Sequence, residues 1–307
     1  RMEFEQALAA NISCFNVESG EELELLAAVA EGLGVTAPVA VRVNPDVDAN
    51  THPYIATGLN ENKFGIPMTN AVEMYRRIKS LPSLRVTGVA CHIGSQLTSN
   101  EPIVDAAKRV MHLVDALMSE NINIDHIDIG GGLGITYHDE SPPDINAYVR
   151  AICEVIDPRY EIIVEPGRSI VGAAGALLAS VQFIKTTSVK TFAICDAAMT
   201  ELIRPALYHA HHNVLAVHAG GDERIVDIVG PVCESGDFLA RDRTLAVASG
   251  DLIALMDCGA YGFVMGSNYN ARPRAAEVLI DGDEIHLARE RETVTQLFAG
   301  EHLLGSS

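Results

Sequence analysis

The sequence of 307 residues contains no tryptophan, and aromatic residues make up only 5% of it, so aliphatic side chains have to fill its core. Basic residues are scarce. Lys and Arg number 22 against 41 Asp and Glu, for a formal net charge of −19, and the only lysines are Lys63, Lys79, Lys108, Lys185 and Lys190. A surface of that sign repels polyanions, which argues against nucleic acid and membrane as partners. No apolar run approaches the roughly 18 residues needed to span a bilayer and no signal peptide opens the sequence, so the cytoplasm is the expected location. The six cysteines (Cys14, Cys91, Cys153, Cys195, Cys233 and Cys258) form no Cys-x-x-Cys pair and no cluster with histidine. Their scatter favours reduced thiols over a disulfide framework or a zinc site and predicts no bound metal. Cys233 alone lies in a polar, turn-rich stretch, Pro231-Val232-Cys233-Glu234-Ser235-Gly236-Asp237.

What is present is an apolar share of 48%, enough for a substantial core, arranged in two textures. In the first half, short β-branched runs at 14–17, 39–43, 86–91, 124–129 and 162–165 alternate with amphipathic stretches at 21–33, 71–79, 101–120 and 145–156. That alternation predicts repeated βα units around a parallel sheet, and Ser19 with Glu22 predicts a capping box at the first helix. Beyond about residue 171, Gly-punctuated runs at 175–184, 191–194, 224–229, 251–256 and 276–280 lack long helices between them and predict an antiparallel β domain, with a short final helix at 293–298. The expected domains are 1–172 and 173–307.

A closed eight-stranded barrel needs eight βα units, and five are legible. The expectation is a (β/α)8 TIM-type barrel whose first three units, about 90 residues at roughly 30 per unit, are absent from this sequence. An opening of Arg1-Met2 is consistent with that expectation. An open, doubly wound five-stranded sheet is the alternative.

Three successive strand ends carry chemistry-bearing residues: Cys91-His92-Ile93-Gly94-Ser95-Gln96, Gly130-Gly131-Gly132-Leu133-Gly134 and Glu165-Pro166-Gly167-Arg168-Ser169. Barrel enzymes keep their chemistry at this face. Glycines let a backbone approach a ligand and offer amide donors to phosphate, although a glycine run also serves a packing turn. A carboxylate such as Glu165 can hold a proton on a ring nitrogen, and the imidazole of His92 can lie against a flat ring. Each feature also has a plain structural reading, as a surface ion pair or a structural histidine. In the second half, Arg204 in Leu202-Ile203-Arg204-Pro205-Ala206-Leu207-Tyr208 and Arg168 can fork onto a carboxylate, and Gly259-Ala260-Tyr261-Gly262 is a further polar signature.

Together, the His92–Gln96, Glu165–Ser169, Leu202–Tyr208, Cys233–Asp237 and Gly259–Gly262 motifs closely resemble those of the diaminopimelate decarboxylases, pyridoxal 5'-phosphate enzymes of the alanine racemase-like barrel class. The resemblance covers nearly the whole chain. It implies that His92 stacks on the pyridine ring, that Glu165 pairs with the ring nitrogen, and that Gly131, Gly132, Gly167 and Arg168 bind around the phosphate with Ser95 and Tyr261 nearby. It further implies that Arg168, Arg204 and Tyr208 hold the distal carboxylate of meso-diaminopimelate, that Tyr261 also contacts the substrate, that Glu234 recognises its distal ammonium, and that Cys233 is the proton donor. Thiols carry their proton at neutral pH, which suits an acid. In the family the Cys-Glu loop reaches the site of the partner subunit, so a homodimer is implied. The implied reaction is decarboxylation to L-lysine and CO2, the last step of lysine biosynthesis. Related decarboxylases of basic amino acids or carboxynorspermidine, or an inactive barrel that acts as a binding protein, are the alternatives. The family also carries a cofactor-binding lysine on its first barrel strand. None of the five lysines stands in such a context, and the expectation is that this lysine lies in the absent units and that this chain alone is inactive.

Overall fold

The computed structural model describes residues 1–48, 63–218 and 222–305. The chain forms two compact units, one of residues 1–136 with 140–169 and one of 137–139 with 170–307.

The first unit runs α1 (Met2–Ala9), β1 (Phe15–Val17), α2 (Gly20–Leu33), β2 (Ala37–Asn44), β3 (Ile66–Pro67), α3 (Met68–Lys79), β4 (Leu84–Cys91), α4 (Glu101–Ser119), β5 (His126–Asp128), α5 (Ile145–Cys153) and β6 (Glu161–Ile163). All strand pairs are parallel, in the order β1-β2-β4-β5-β6, with β3 beside β2. An order without reversal is that of a barrel wall. A doubly wound sheet reverses at a switch point. One side-chain bond shows the curvature directly, because Asn16 on β1 donates to Asp128 on β5 at 3.0 Å. Two strands separate them, which in a flat sheet means about 14 Å at roughly 4.8 Å per strand.

Period-2 alternation sorts the strand residues. Val39, Val41, Val43, Val89, Cys91, Ile127 and Ile129 pack into the core beneath the helices, while Asn16, Arg42 and Asp128 fall on the other face. The helices meet that core through stripes spaced three and four apart, as in Ile103, Ala106, Ala107, Val110, Leu113, Val114 and Leu117 of α4. Each fully buried Val, Leu or Ile among them contributes about 1.5–3 kcal/mol. The Ser19 hydroxyl caps α2 by accepting from Glu22 N at 3.1 Å, but the Glu22 carboxylate reaches one residue further back than a capping box requires and accepts from Glu18 N at 2.7 Å. The register shift between β2 and β4 is bridged by the buried Tyr75 hydroxyl, which accepts from Val41 N and donates to the Gly88 carbonyl.

A short α6 (Arg168–Val171) follows. The second unit contains β7 (Leu177–Thr186), β8 (Thr191–Cys195), α7 (Arg204–Tyr208), β9 (Val214–Ala216), β10 (Arg224–Val229), β11 (Phe238–Leu245), β12 (Leu252–Leu255), a separate hairpin of β13 (Glu277–Asp281) and β14 (Glu284–Arg289), and α8 (Val294–Leu297). Its main sheet has the order β11-β10-β8-β7-β12-β9 and is antiparallel except between β8 and β10, which run parallel. Val181, Cys195, Leu202, Val226, Ile228, Leu239, Ile253 and Leu255 form its core.

Candidate active site

In the first unit the three strand ends are stitched together mainly by backbone. Glu165 N donates to the Gly130 carbonyl at 2.9 Å, Leu97 N to the Gly132 carbonyl at 2.8 Å, and Gly134 N to the Leu97 carbonyl at 3.0 Å. These approaches require glycine. A Cβ at Gly131 would overlap the Glu165 carbonyl oxygen, and one at Gly132 would overlap the Gly94 carbonyl oxygen. Gly132 also holds φ at +115°, which side-chain-bearing residues rarely adopt. The result is a closely packed run of backbone between His92 and Glu165.

His92 is oriented by that backbone, since its Nδ1 accepts from Gly131 N at 3.1 Å. With Nδ1 accepting, a neutral ring carries its proton on Nε2. Burial, and next the positive charge of Arg42, push its pKa below the usual histidine range, so the ring is uncharged at neutral pH. Glu165, at the exposed end of the strand, moves the other way. Partial desolvation first, then the like charge of Asp128 and a hydrogen bond shared with it, hold its carboxyl above the usual range, while Arg42 acts against them. Asp128 is buried and anchored by two donors, Asn16 Nδ2 at 3.0 Å and Gly130 N at 2.9 Å. A carboxyl beside an anchored carboxylate has a strong reason to keep or accept a proton. Arg168 is also buried, and its Nε and Nη2 donate to Ser95 Oγ at 3.3 and 3.1 Å, joining two of the strand-end motifs. Gly167 lies in the exposed turn before it.

The remaining candidates lie in the second unit. Arg204 opens α7 and Tyr208 closes it. Cys233 and Glu234 are exposed on a loop braced by the buried Asp237, whose carboxylate accepts from Val232 N at 2.8 Å and from Met199 N at 2.7 Å. That second bond ties the loop to the turn that leads into α7. Glu234 Oε2 accepts from the Tyr269 hydroxyl at 3.4 Å. Tyr261 is 40% exposed and held at φ +58° by its neighbours. Gly259 N donates to the Gly172 carbonyl, and Cβ atoms at Gly259 and Gly262 would overlap the Val171 and Cys258 carbonyl oxygens. Of the lysines, Lys79 donates to the Asn121 carbonyl, Lys190 pairs with Asp227 at 2.6 Å and Lys63 lies 5.2 Å from the Phe64 ring centre.

The sequence reading missed Asn16, Arg42 and Asp128 in the first unit and Tyr137 and His212 in the second. A signal existed for two of them. In His126-Ile127-Asp128-Ile129 the polar residues keep a strict period of two inside an apolar strand, which marks a charged inward face, and Arg42 stands in the same way between Val41 and Val43. Tyr137 and His212 carry no such signal.

The fold and the strand-end geometry define a class, and comparison with known proteins agrees with it. The family described as pyridoxal-dependent decarboxylase, pyridoxal binding domain, matches residues 1–172. The chain is 58% identical over 306 residues to diaminopimelate decarboxylase of Pseudomonas aeruginosa, covering 99% of this chain and 74% of that protein. It is 51% identical to the Vibrio cholerae enzyme of the same name over 98% of this chain and 73% of the relative. The solved structure of diaminopimelate decarboxylase from Helicobacter pylori, in complex with L-lysine, superposes with a TM-score of 0.94 at 40% identity, covering 97% of this chain and 75% of that one. The chain belongs to the diaminopimelate decarboxylase family.

Proposed function

We infer that this protein decarboxylates meso-2,6-diaminopimelate to L-lysine and CO2 with pyridoxal 5'-phosphate, as the last step of lysine biosynthesis. The observation that carries the reading is the pairing, in one barrel wall, of an uncharged imidazole aimed by the Gly131 amide with a carboxyl held above its usual range beside Asp128.

That arrangement fits the cofactor. The flat face of His92 suits an aromatic ring, Glu165 suits a ring nitrogen that must keep a proton, and the Gly131-Gly132 backbone with Gly167, Arg168 and Ser95 suits a phosphate. Bound there, pyridoxal phosphate would supply an electron sink for the pair left behind when CO2 departs. Glu165 holds the proton at the ring nitrogen, and Asp128 keeps Glu165 ready for it. Being uncharged, His92 adds no positive charge against a ring that must itself carry one. Arg168 and Ser95 act as a joined pair of donors.

In the second unit, Arg204 and Tyr208, together with Arg168, take the distal carboxylate, Glu234 takes the distal ammonium, and Tyr261 lies by substrate and phosphate. A substrate bearing both distal groups is thereby favoured over one with a distal amine alone. Cys233 supplies the proton that replaces the lost carboxylate. Its exposure on a rigidly braced loop supports service to a second copy of the chain, hence a homodimer with composite sites. The six cysteines are free, which supports a reducing cytoplasm. No helix among the described residues is long and apolar enough to cross a membrane.

Complementation tests the composite site. Glu165→Ala and Cys233→Ala forms of the full-length gene product, each nearly inactive, are loaded with cofactor, mixed and allowed to exchange subunits. Random reassortment gives mixed dimers with one intact site and restores roughly a quarter of normal CO2 release. Absence of any recovery, with exchange shown by a tag, contradicts the shared site.

A further inference from the structure

Arg204 is only 6% exposed, so its guanidinium has to be oriented by the protein before any ligand arrives. The group that orients it is His212, which has no exposed surface. Its Nε2 lies 2.8 Å from Arg204 Nη1, and its Nδ1 lies 2.8 Å from the Met256 carbonyl oxygen. A guanidinium only donates and a carbonyl only accepts. The ring therefore carries its single proton on Nδ1, gives it to Met256 and offers the Nε2 lone pair to Arg204. The backbone locks the same junction, because Met256 N donates to the carbonyl of Asn213, the next residue, at 2.8 Å. Tyr137 completes the clamp. Its ring centre is 4.3 Å from the Arg204 guanidinium carbon, and its plane meets the His212 ring edge-on at 75°. One nitrogen of the guanidinium is fixed by a lone pair and one face by a π-system.

We propose that His212 is a positioning residue for substrate recognition: by accepting from Arg204 through Nε2, it sets the plane in which the guanidinium takes the distal carboxylate. This rests on the proposed role of Arg204 in binding that carboxylate. Fork-on-carboxylate pairing depends on plane and angle, so a guanidinium that turns loses affinity for the carboxylate and for nothing else on the ligand.

The test uses the cofactor-loaded full-length gene product and calorimetric binding of two probes, L-lysine and cadaverine, which share the diamine chain and differ by the carboxylate. His212→Asn keeps a donor for the Met256 carbonyl and removes the acceptor for Arg204, whereas His212→Gln places an amide oxygen near the Nε2 position. The expected result is L-lysine binding weakened about tenfold in H212N, as for loss of one hydrogen bond to a charged group, with cadaverine binding unchanged and most of the loss regained in H212Q. For meso-diaminopimelate, KM rises more than kcat falls. Equal weakening of both probes in H212N and H212Q overturns the proposal in favour of a packing role. Arg204→Met separates the two layers of the inference. If R204M leaves the ratio of L-lysine to cadaverine affinity unchanged, the carboxylate role of Arg204 fails. If R204M collapses that ratio and H212N does not, Arg204 keeps its role and His212 loses the one proposed.

Discussion

The two units of the molecule build their functional residues in opposite ways. In the barrel unit, His92 and Glu165 are placed by backbone: the Gly131 amide aims the imidazole, and the Gly130 carbonyl holds the Glu165 amide. In the β unit, Arg204 is placed by side chains from residues 137 and 212, and residue 212 is in turn fixed by residue 256. A backbone-built site demands glycine at fixed positions and so leaves a motif. A side-chain clamp assembled from scattered residues leaves none. The first should fail abruptly when a single Cβ is added, and the second should degrade in steps.

Gly131→Ala should give the largest combined effect, on stability and cofactor affinity together, because its Cβ meets the Glu165 carbonyl and neither backbone can yield without moving the cradle. A cost of about 3 kcal/mol in urea unfolding is expected, with cofactor affinity falling by about two orders of magnitude in a fluorescence titration. Arg204→Met should leave cofactor affinity unchanged. Equal loss in both variants breaks the comparison. Next in size, Glu165→Ala should lower kcat about a thousandfold, the scale of removing one preorganised electrostatic contact, as measured by CO2 release from meso-diaminopimelate. Cys233→Ala should lower kcat about a hundredfold and leave cofactor titration unaltered, as for loss of a general acid. Undiminished turnover in that variant removes Cys233 from the reaction.

The smallest effect is on stability and has a definite sign. Glu165 has a folded-state pKa above the ordinary 4.5, through desolvation and Asp128. Its contribution to stability is fully present below about pH 4.5 and is lost as pH rises through the folded value. Cofactor-free Glu165→Gln protein should therefore gain stability relative to the parent as pH rises from 4 to 7, and the two should converge at the acid end. Thermal melts at several pH values read this. A constant difference across the range means that the fold does not hold the Glu165 carboxyl above its ordinary value.

Much of this was legible in the residues. The alternation of β-branched runs and amphipathic stretches located the five longer strands of the barrel wall to within about three residues, because burial on one helix face and one sheet face imposes the periods directly. The two-residue β3 was too short to carry a period. Phe238–Leu245 was hidden by its charged Arg241-Asp242-Arg243 core, and Val214–Ala216 by its length. The parallel pairing of β8 with β10 has no sequence signature, since alternation records which face is buried and not which direction the neighbour runs. The same limit applies at the sites. His92, Gly131, Gly132 and Glu165 stood out because they cluster at strand ends, whereas Tyr137 and His212 meet Arg204 only through the fold.

The most direct measurement is the product balance of the cofactor-loaded full-length gene product on meso-diaminopimelate, with L-lysine and ornithine as competing substrates. One L-lysine per CO2 from meso-diaminopimelate, with no comparable turnover of the other two, is the predicted result. Release of CO2 from L-lysine or ornithine at a similar kcat/KM, or none from meso-diaminopimelate, would contradict it.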